Sequence, residues 1–204
     1  MTGLGSATRT CLVCLGVSLV CLGVSHSESP LTPHGFPSDA GSVTFSRQSP
    51  DDLLRFFIMA HELRDIEMYK QALHKSYRYW LAPDVQPRLE GLPGNPWLTR
   101  EWDIEMTDIL FSDPMIEGIH MRLIPITGWK ACQATVMTDS ASARRIQGFE
   151  ITVDPLIRLE LLTDEGGTCS LEVNRTWMRI VVVPDPEVAG SWVIFAIWEE
   201  PEAD

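Results

Sequence analysis

Beyond Pro114 this chain carries no helical period. It runs as "GIHMRLI", "ACQATVM", "RIQGFEITVDPLIRLELLTD", "TCSLEVNRTWMRIVVVP" and "SWVIFAIWEE", parted by turn signals such as "DEGG" and "PDPEVAG". Ile157, Leu159 and Leu161 alternate with Arg158 and Glu160, the period-two pattern of a sheet with one buried face. Two of the runs exceed an ordinary strand. Asp154-Pro155 and Asn174-Arg175 near their middles predict bends or bulges, as a strongly curved sheet requires.

The helical signals all come earlier. Ser49 can cap a first helix, with Pro50 in its first turn and Asp51 and Asp52 at the positive end of its dipole. Leu53, Phe56, Phe57, Ala60 and Leu63 recur at three and four, the spacing of one buried face. Arg64-Asp65 forms a joint, and Asp65 caps a second helix with Ile66, Tyr69, Ala72 and Leu73 inward, before "YRYWL" leaves in an extended run. After the Gly- and Pro-rich "RLEGLPGNPW", Thr99 caps a third helix with Trp102, Met106, Ile109 and Leu110 on one side, and Ser112-Asp113-Pro114 stops it. Helices first and strands afterwards make an α+β layer, with the helices packed on one side of the sheet.

The first residues read as a leader. One Arg9, an apolar run from Cys11 to Val24 and small residues around Ser25 and Ser27 are the parts of an export signal, so residues 1–27 are expected to be removed. The apolar run, about fifteen residues, falls short of the roughly 20 that span a bilayer. Acylation at Cys21 is the alternative, making a lipoprotein, although Val20 precedes it where Gly, Ala or Ser is usual. Residues 28–48, rich in Pro, Gly and Ser without apolar period, read as a flexible linker, and 49–200 as one domain. Cys132 and Cys169 remain, on separate strands with no evident pairing register; export permits a disulfide between them without requiring one.

The formal net charge is −12, with 16 basic and 28 acidic side chains. Nucleic acid binding needs clustered Lys and Arg, and the longest basic run is Arg144-Arg145, so no nucleic acid partner is expected. Nor is membrane insertion of the domain.

"SPDDLLRFFIMAHELRDIEMYKQALHKSYRYWL" resembles the opening of the nuclear transport factor 2-like (NTF2-like) superfamily in its SnoaL-like and exported bacterial versions. There a helix, a charged Arg-Asp joint, a second helix with "LH" near its end and an aromatic strand recur. "SWVIFAIWEE" is similar to that family's last strand. The chain departs from the pattern at Lys75 and Ser76, where the family often has proline and an acid, and its second Trp stands one position further along. The resemblance spans Ser49 to Glu200 and implies a cone-shaped α+β fold, three N-terminal helices packed on a strongly curved antiparallel sheet.

Relatives of that fold include ketosteroid isomerase, scytalone dehydratase, polyketide cyclases and non-catalytic subunits, so fold alone does not settle function. Proton transfer needs a carboxylate or His facing the cone. The candidates are His61, beside the apolar face of the first helix, and Asp84, which a turn cap beside Pro83 explains as well. His74 follows Lys70 and Gln71 and is expected to face water. Residues 28–204 lack His-x-His, His-x-x-x-His and paired Cys, so no metal is expected, and no cofactor motif is present. The pocket candidates are His61, Tyr77, Trp102, His120, Trp192 and Trp198. Trp192, Ile194, Ala196 and Trp198 alternate with Val193, Phe195 and Ile197, so both faces of the last strand want burial, one against the helices and the other against a second layer or a homodimer partner. The expectation is a non-catalytic module holding a small apolar molecule, with an isomerase or dehydratase using Asp84 or His61 and a structural dimer subunit as alternatives.

Overall fold

The computed structural model describes residues 46–82, 97–137, 143–163, 166–174 and 176–200. The leader, the greater part of the linker and Asp84 lie outside them.

α1 (Pro50–Glu62) starts where Ser49 Oγ accepts the Asp52 amide, with Pro50 in its first turn. Leu53, Phe56, Phe57 and Ala60 are buried as expected, but Leu63 is 55% exposed because the chain has already left the helix there. Arg64 takes a left-handed φ of 55°, a conformation rare outside glycine, and Asp65 opens α2 (Ile66–Ala72). Asp65 Oδ1 accepts the Glu67 and Met68 amides, both at 2.9 Å. A cap of this kind is worth about 1 kcal/mol.

α2 ends one residue earlier than its apolar period suggests. Leu73 is already extended and begins β1 (Leu73–Trp80). Alternation therefore replaces the helical period at His74, which is buried against the ring of Phe195 at 5.4 Å rather than facing water. β2 (Trp97–Thr99) is a short strand at the end of the Gly- and Pro-rich segment that reads as a loop in the sequence. α3 (Arg100–Ser112) is capped by Thr99 as expected, but its buried side is Asp103, Thr107, Leu110 and Phe111, while Ile109 is 45% exposed. The face is turned by about one residue, which is about 100°, because the two polar side chains on this stripe, Asp103 and Thr107, both meet Tyr69 of α2.

The strands that follow are β3 (Ile116–Pro125), β4 (Lys130–Met137), β5 (Ala143–Leu162), β6 (Thr168–Asn174), β7 (Trp177–Pro184) and β8 (Trp192–Glu200). The order is β2-β1-β8-β7-β5-β3, with β4 and β6 also on β5. All described pairings are antiparallel except β1 with β8, which is parallel, so the sheet is mixed. β5 is its spine. Along one edge it pairs with β3 through Val153 and with β4 through Glu150; along the other it pairs with β7 up to Val153 and with β6 from Leu156. The partners change around Asp154-Pro155, where the proline has no amide to give. The break between β6 and β7 falls opposite, and that between β3 and β4 is held by the Ile126 and Thr127 amides on the Thr152 carbonyl. Three long antiparallel paths thus bend at one level, which curves the sheet around the helices.

The main core lies between the helices and the concave face. A smaller apolar cluster of Ala134, Val181, Val183 and Val193 occupies the other face. Strict alternation in β8 is broken at Phe195: Val181 pairs with Ala196 but Val182 with Ile194. This bulge puts Ile194 and Ile197 in the main core together, and sends Trp192 and Trp198 to opposite clusters instead of one face. Cys132 and Cys169, on opposite edges of β5, are free thiols.

Candidate functional site

The interior of the cone contains a buried polar group of residues from four elements. Tyr69 comes from α2, Tyr77 and Tyr79 from alternate positions of β1, Asp103 and Thr107 from one turn spacing of α3, and Glu199 from β8. Alternation sends both β1 tyrosines inward, and the i, i+4 spacing stacks Asp103 and Thr107 on one stripe. Tyr69 donates its hydroxyl to Asp103 Oδ2 at 2.6 Å. Tyr79 donates to Glu199 Oε1 at 2.8 Å, and Glu199 Oε2 accepts the Ala82 amide at 2.9 Å.

Tyr77 differs from both. Its side chain is fully buried and its hydroxyl has no hydrogen-bond partner within bonding geometry among the described residues. Burial, and next the nearby Asp103 carboxylate, raise its pKa well above the ordinary phenol value. Tyr69 is raised by the same two causes in the same order. Both phenols therefore keep their protons at any physiological pH and act as donors.

His61 adjoins this group through Tyr69, whose ring stands at 5.2 Å, and is further enclosed by Phe57 and Phe111. Its Nδ1 lies 2.9 Å from the Phe57 carbonyl and so carries the proton, the arrangement of a core histidine bonded to backbone. Trp102 is half-buried against the same core. The other sequence candidates are elsewhere. His120 is about half-exposed on β3, with Nε2 3.2 Å from Glu160 Oε1. Trp192 packs on Phe149. Trp198 lies on the other face, stacked on Trp80 and covered by the Arg179 guanidinium. Sequence reading missed Tyr69 and Asp103 as site residues; the signal for Asp103 was an acid in register with Thr107, Leu110 and Phe111.

Three helices, a helical hairpin leading into β1 and a bent, mostly antiparallel sheet agree with the cone that the resemblance implied. The fold is an α+β cone, similar in arrangement to the NTF2-like fold. No protein-family model matches the sequence, and no curated protein matches it. Solved structures similar in arrangement include an NTF2-like superfamily protein from Salmonella enterica, at 12% identity and TM-score 0.38, covering 75% of this chain and 88% of that one. ActVI-ORFA from Streptomyces coelicolor is similar at 11% identity and TM-score 0.42, covering 72% and 91%. The association domain of C. elegans CaMKII is similar at 13% identity and TM-score 0.40, covering 72% and 88%.

His74 supplies a pH dependence. Its pKa is lowered by burial first and then by the charge of Lys75; Asp185 and Glu187 pull it upward and Arg100 pushes it down. The unfolded imidazole takes a proton near pH 6.5, and the folded one resists it. The contribution to stability is therefore fully present above about pH 6.5 and is lost as pH falls toward the folded pKa. Thermal melts between about pH 7.5 and 5.5 are expected to fall more steeply for the native chain than for His74→Gln; parallel curves would contradict this.

Proposed function

We propose that this domain holds a small, largely apolar molecule inside the cone, oriented by a hydrogen bond from the Tyr77 hydroxyl to an acceptor oxygen such as a carbonyl. The observation that carries the reading is that hydroxyl: buried, protonated and without a hydrogen bond of good geometry, although the Asp103 carboxylate stands near it. A buried donor left unpaired costs about 1–3 kcal/mol, so its retention calls for a partner. Asp103 Oδ2 accepts the Tyr69 hydroxyl, the Tyr77 hydroxyl lies near the same carboxylate without reaching good bonding geometry, and an acceptor with an apolar body suits the surrounding Leu, Ile and Phe side chains.

Tyr77→Phe removes the hydroxyl and keeps the shape. Its melting temperature is expected to equal or exceed that of the native chain, while native mass spectrometry after mild purification shows a bound small molecule on the native chain and much less on the variant. Equal adducts on both, or none on either, would reject the reading.

A second reading has its own observation. Trp80, Trp97 and Trp198 share the convex face as directly paired residues and are only half-buried. Aromatic rows of this kind favour association, here as a homodimer through the sheet. Sedimentation equilibrium at micromolar concentration is expected to give twice the mass of the monomer, and a monomer mass up to about 100 μM would exclude it.

A further inference from the structure

Outside the cone, a cleft of about 380 Å³ opens between the end of α2, the start of α3 and the turn joining β7 to β8. This chain has nearly twice as many acids as bases, yet four of its cations, Arg47, Lys70, Lys75 and Arg100, line this one cleft. Two of them are neutralised where they stand. Arg47 is paired with Asp185 at 3.3 Å, and Lys70 with Glu67 at 2.7 Å.

Arg100 and Lys75 have no carboxylate partner among the described ion pairs. Arg100 spends its Nη2 on the Lys70 carbonyl at 2.8 Å, which fixes the guanidinium at the end of α2 without cancelling its charge. Lys75 is exposed at the other side of His74. His74 Nδ1 accepts the Ser76 amide at 2.9 Å, so the neutral ring carries its proton on Nε2 and offers a donor rather than an acceptor. The apolar part of the lining is Leu73, Pro186, Val188 and Val193. Glu187 also lines the cleft, which disfavours a ligand of high negative charge.

We infer that this cleft binds a small organic monocarboxylate with a short apolar body. The carboxylate lies between Arg100 and Lys75, and the apolar part covers Leu73, Val188 and Val193. A volume near the lower end of small-molecule pockets limits the ligand to a short chain or single ring. A charge-assisted bond to a half-buried arginine supplies orientation, and the apolar contacts separate this ligand class from inorganic anions.

The test is a titration of the full chain, followed by amide NMR, with hexanoate, hexanol and inorganic phosphate as probes. Hexanoate is expected to produce saturable shifts at the amides of Ser76, Val188 and Val193, with hexanol and phosphate producing much weaker ones. Lys75→Glu, an exposed change that leaves the fold intact, is expected to weaken hexanoate binding by about tenfold or more. Equal response to hexanol would show an apolar surface without anion recognition, equal response to phosphate would show general electrostatic attraction, and unchanged hexanoate affinity in Lys75→Glu would remove the carboxylate from this cleft. Any of these, or no saturable shift, overturns the inference. Tyr77→Phe leaves this cleft untouched, so its result and that of the cone ligand stand apart.

Discussion

Asp103→Ala is expected to lower the stability of this fold by about 2–5 kcal/mol, read as the shift in urea midpoint at constant slope. Asp103 is 4% exposed and accepts the Tyr69 hydroxyl at 2.6 Å. Truncating it takes away the acceptor of that buried hydroxyl, leaving Thr107 as its remaining partner, and removes the carboxylate nearest the buried Tyr77 hydroxyl. A buried donor that loses its acceptor costs about 1–3 kcal/mol, and a hydrogen bond to an ionised group is worth about 1.5–3 kcal/mol. The double change Asp103→Ala with Tyr69→Phe is expected to recover part of the loss, since it removes the orphaned donor together with its acceptor. A loss under about 1 kcal/mol in Asp103→Ala, or no recovery in the pair, would mean that the carboxylate is not what holds α2 to α3.

Arg64→Ala is expected to cost about 2–4 kcal/mol. The side chain reaches across to the end of α3: Nε and Nη2 donate to the Phe111 carbonyl, Nη1 to the Ile116 carbonyl, and Nη2 also to the Asp113 carbonyl at 3.2 Å. Phe111 lies in the last turn of α3 and Asp113 caps it, so a cation is favoured there both as donor and against the dipole. Alanine loses all of these bonds and still has to hold the left-handed φ of 55°. Arg64→Gly loses the same bonds without that strain, and is expected to be less destabilising than Arg64→Ala by about 1 kcal/mol. Arg64→Lys should resemble alanine more than arginine, because an ammonium lacks the planar fork that serves several carbonyls at once. Chemical denaturation of the three variants orders them; Ala and Gly equal to each other would show that the backbone at the joint relaxes.

Short-range bonding was the legible part of this protein. Ser49, Asp65 and Thr99 cap the three helices as their sequence context indicates, each bonding an amide within three residues. The order of helices and strands, and the division of the chain into a helical and a strand-forming half, follow from periodicity of the same local kind. In the candidate site, His61 is legible from its apolar neighbours Phe57 and Ile58, and both it and the pocket candidate Tyr77 are buried. Asp84 lies outside the described residues, and His120 and Trp198 face elsewhere.

What the amino-acid order alone determined is thus where elements begin, what type they are and that a curved sheet must meet helices on one side. Only the tertiary structure decided which side of β1, α3 and β8 is inside. The bulge at Phe195 shifts the parity of β8 and separates Trp192 from Trp198. The end of α2 at Ala72 turns His74 from an expected surface residue into a buried one. The partners of Asp103 and Glu199 lie 34 and 120 residues away in the chain, and Arg64 serves carbonyls some fifty residues on. Local periodicity records how a segment would bury its apolar side, but a buried carboxylate is stable only where distant donors converge on it, and that convergence exists only in the folded chain.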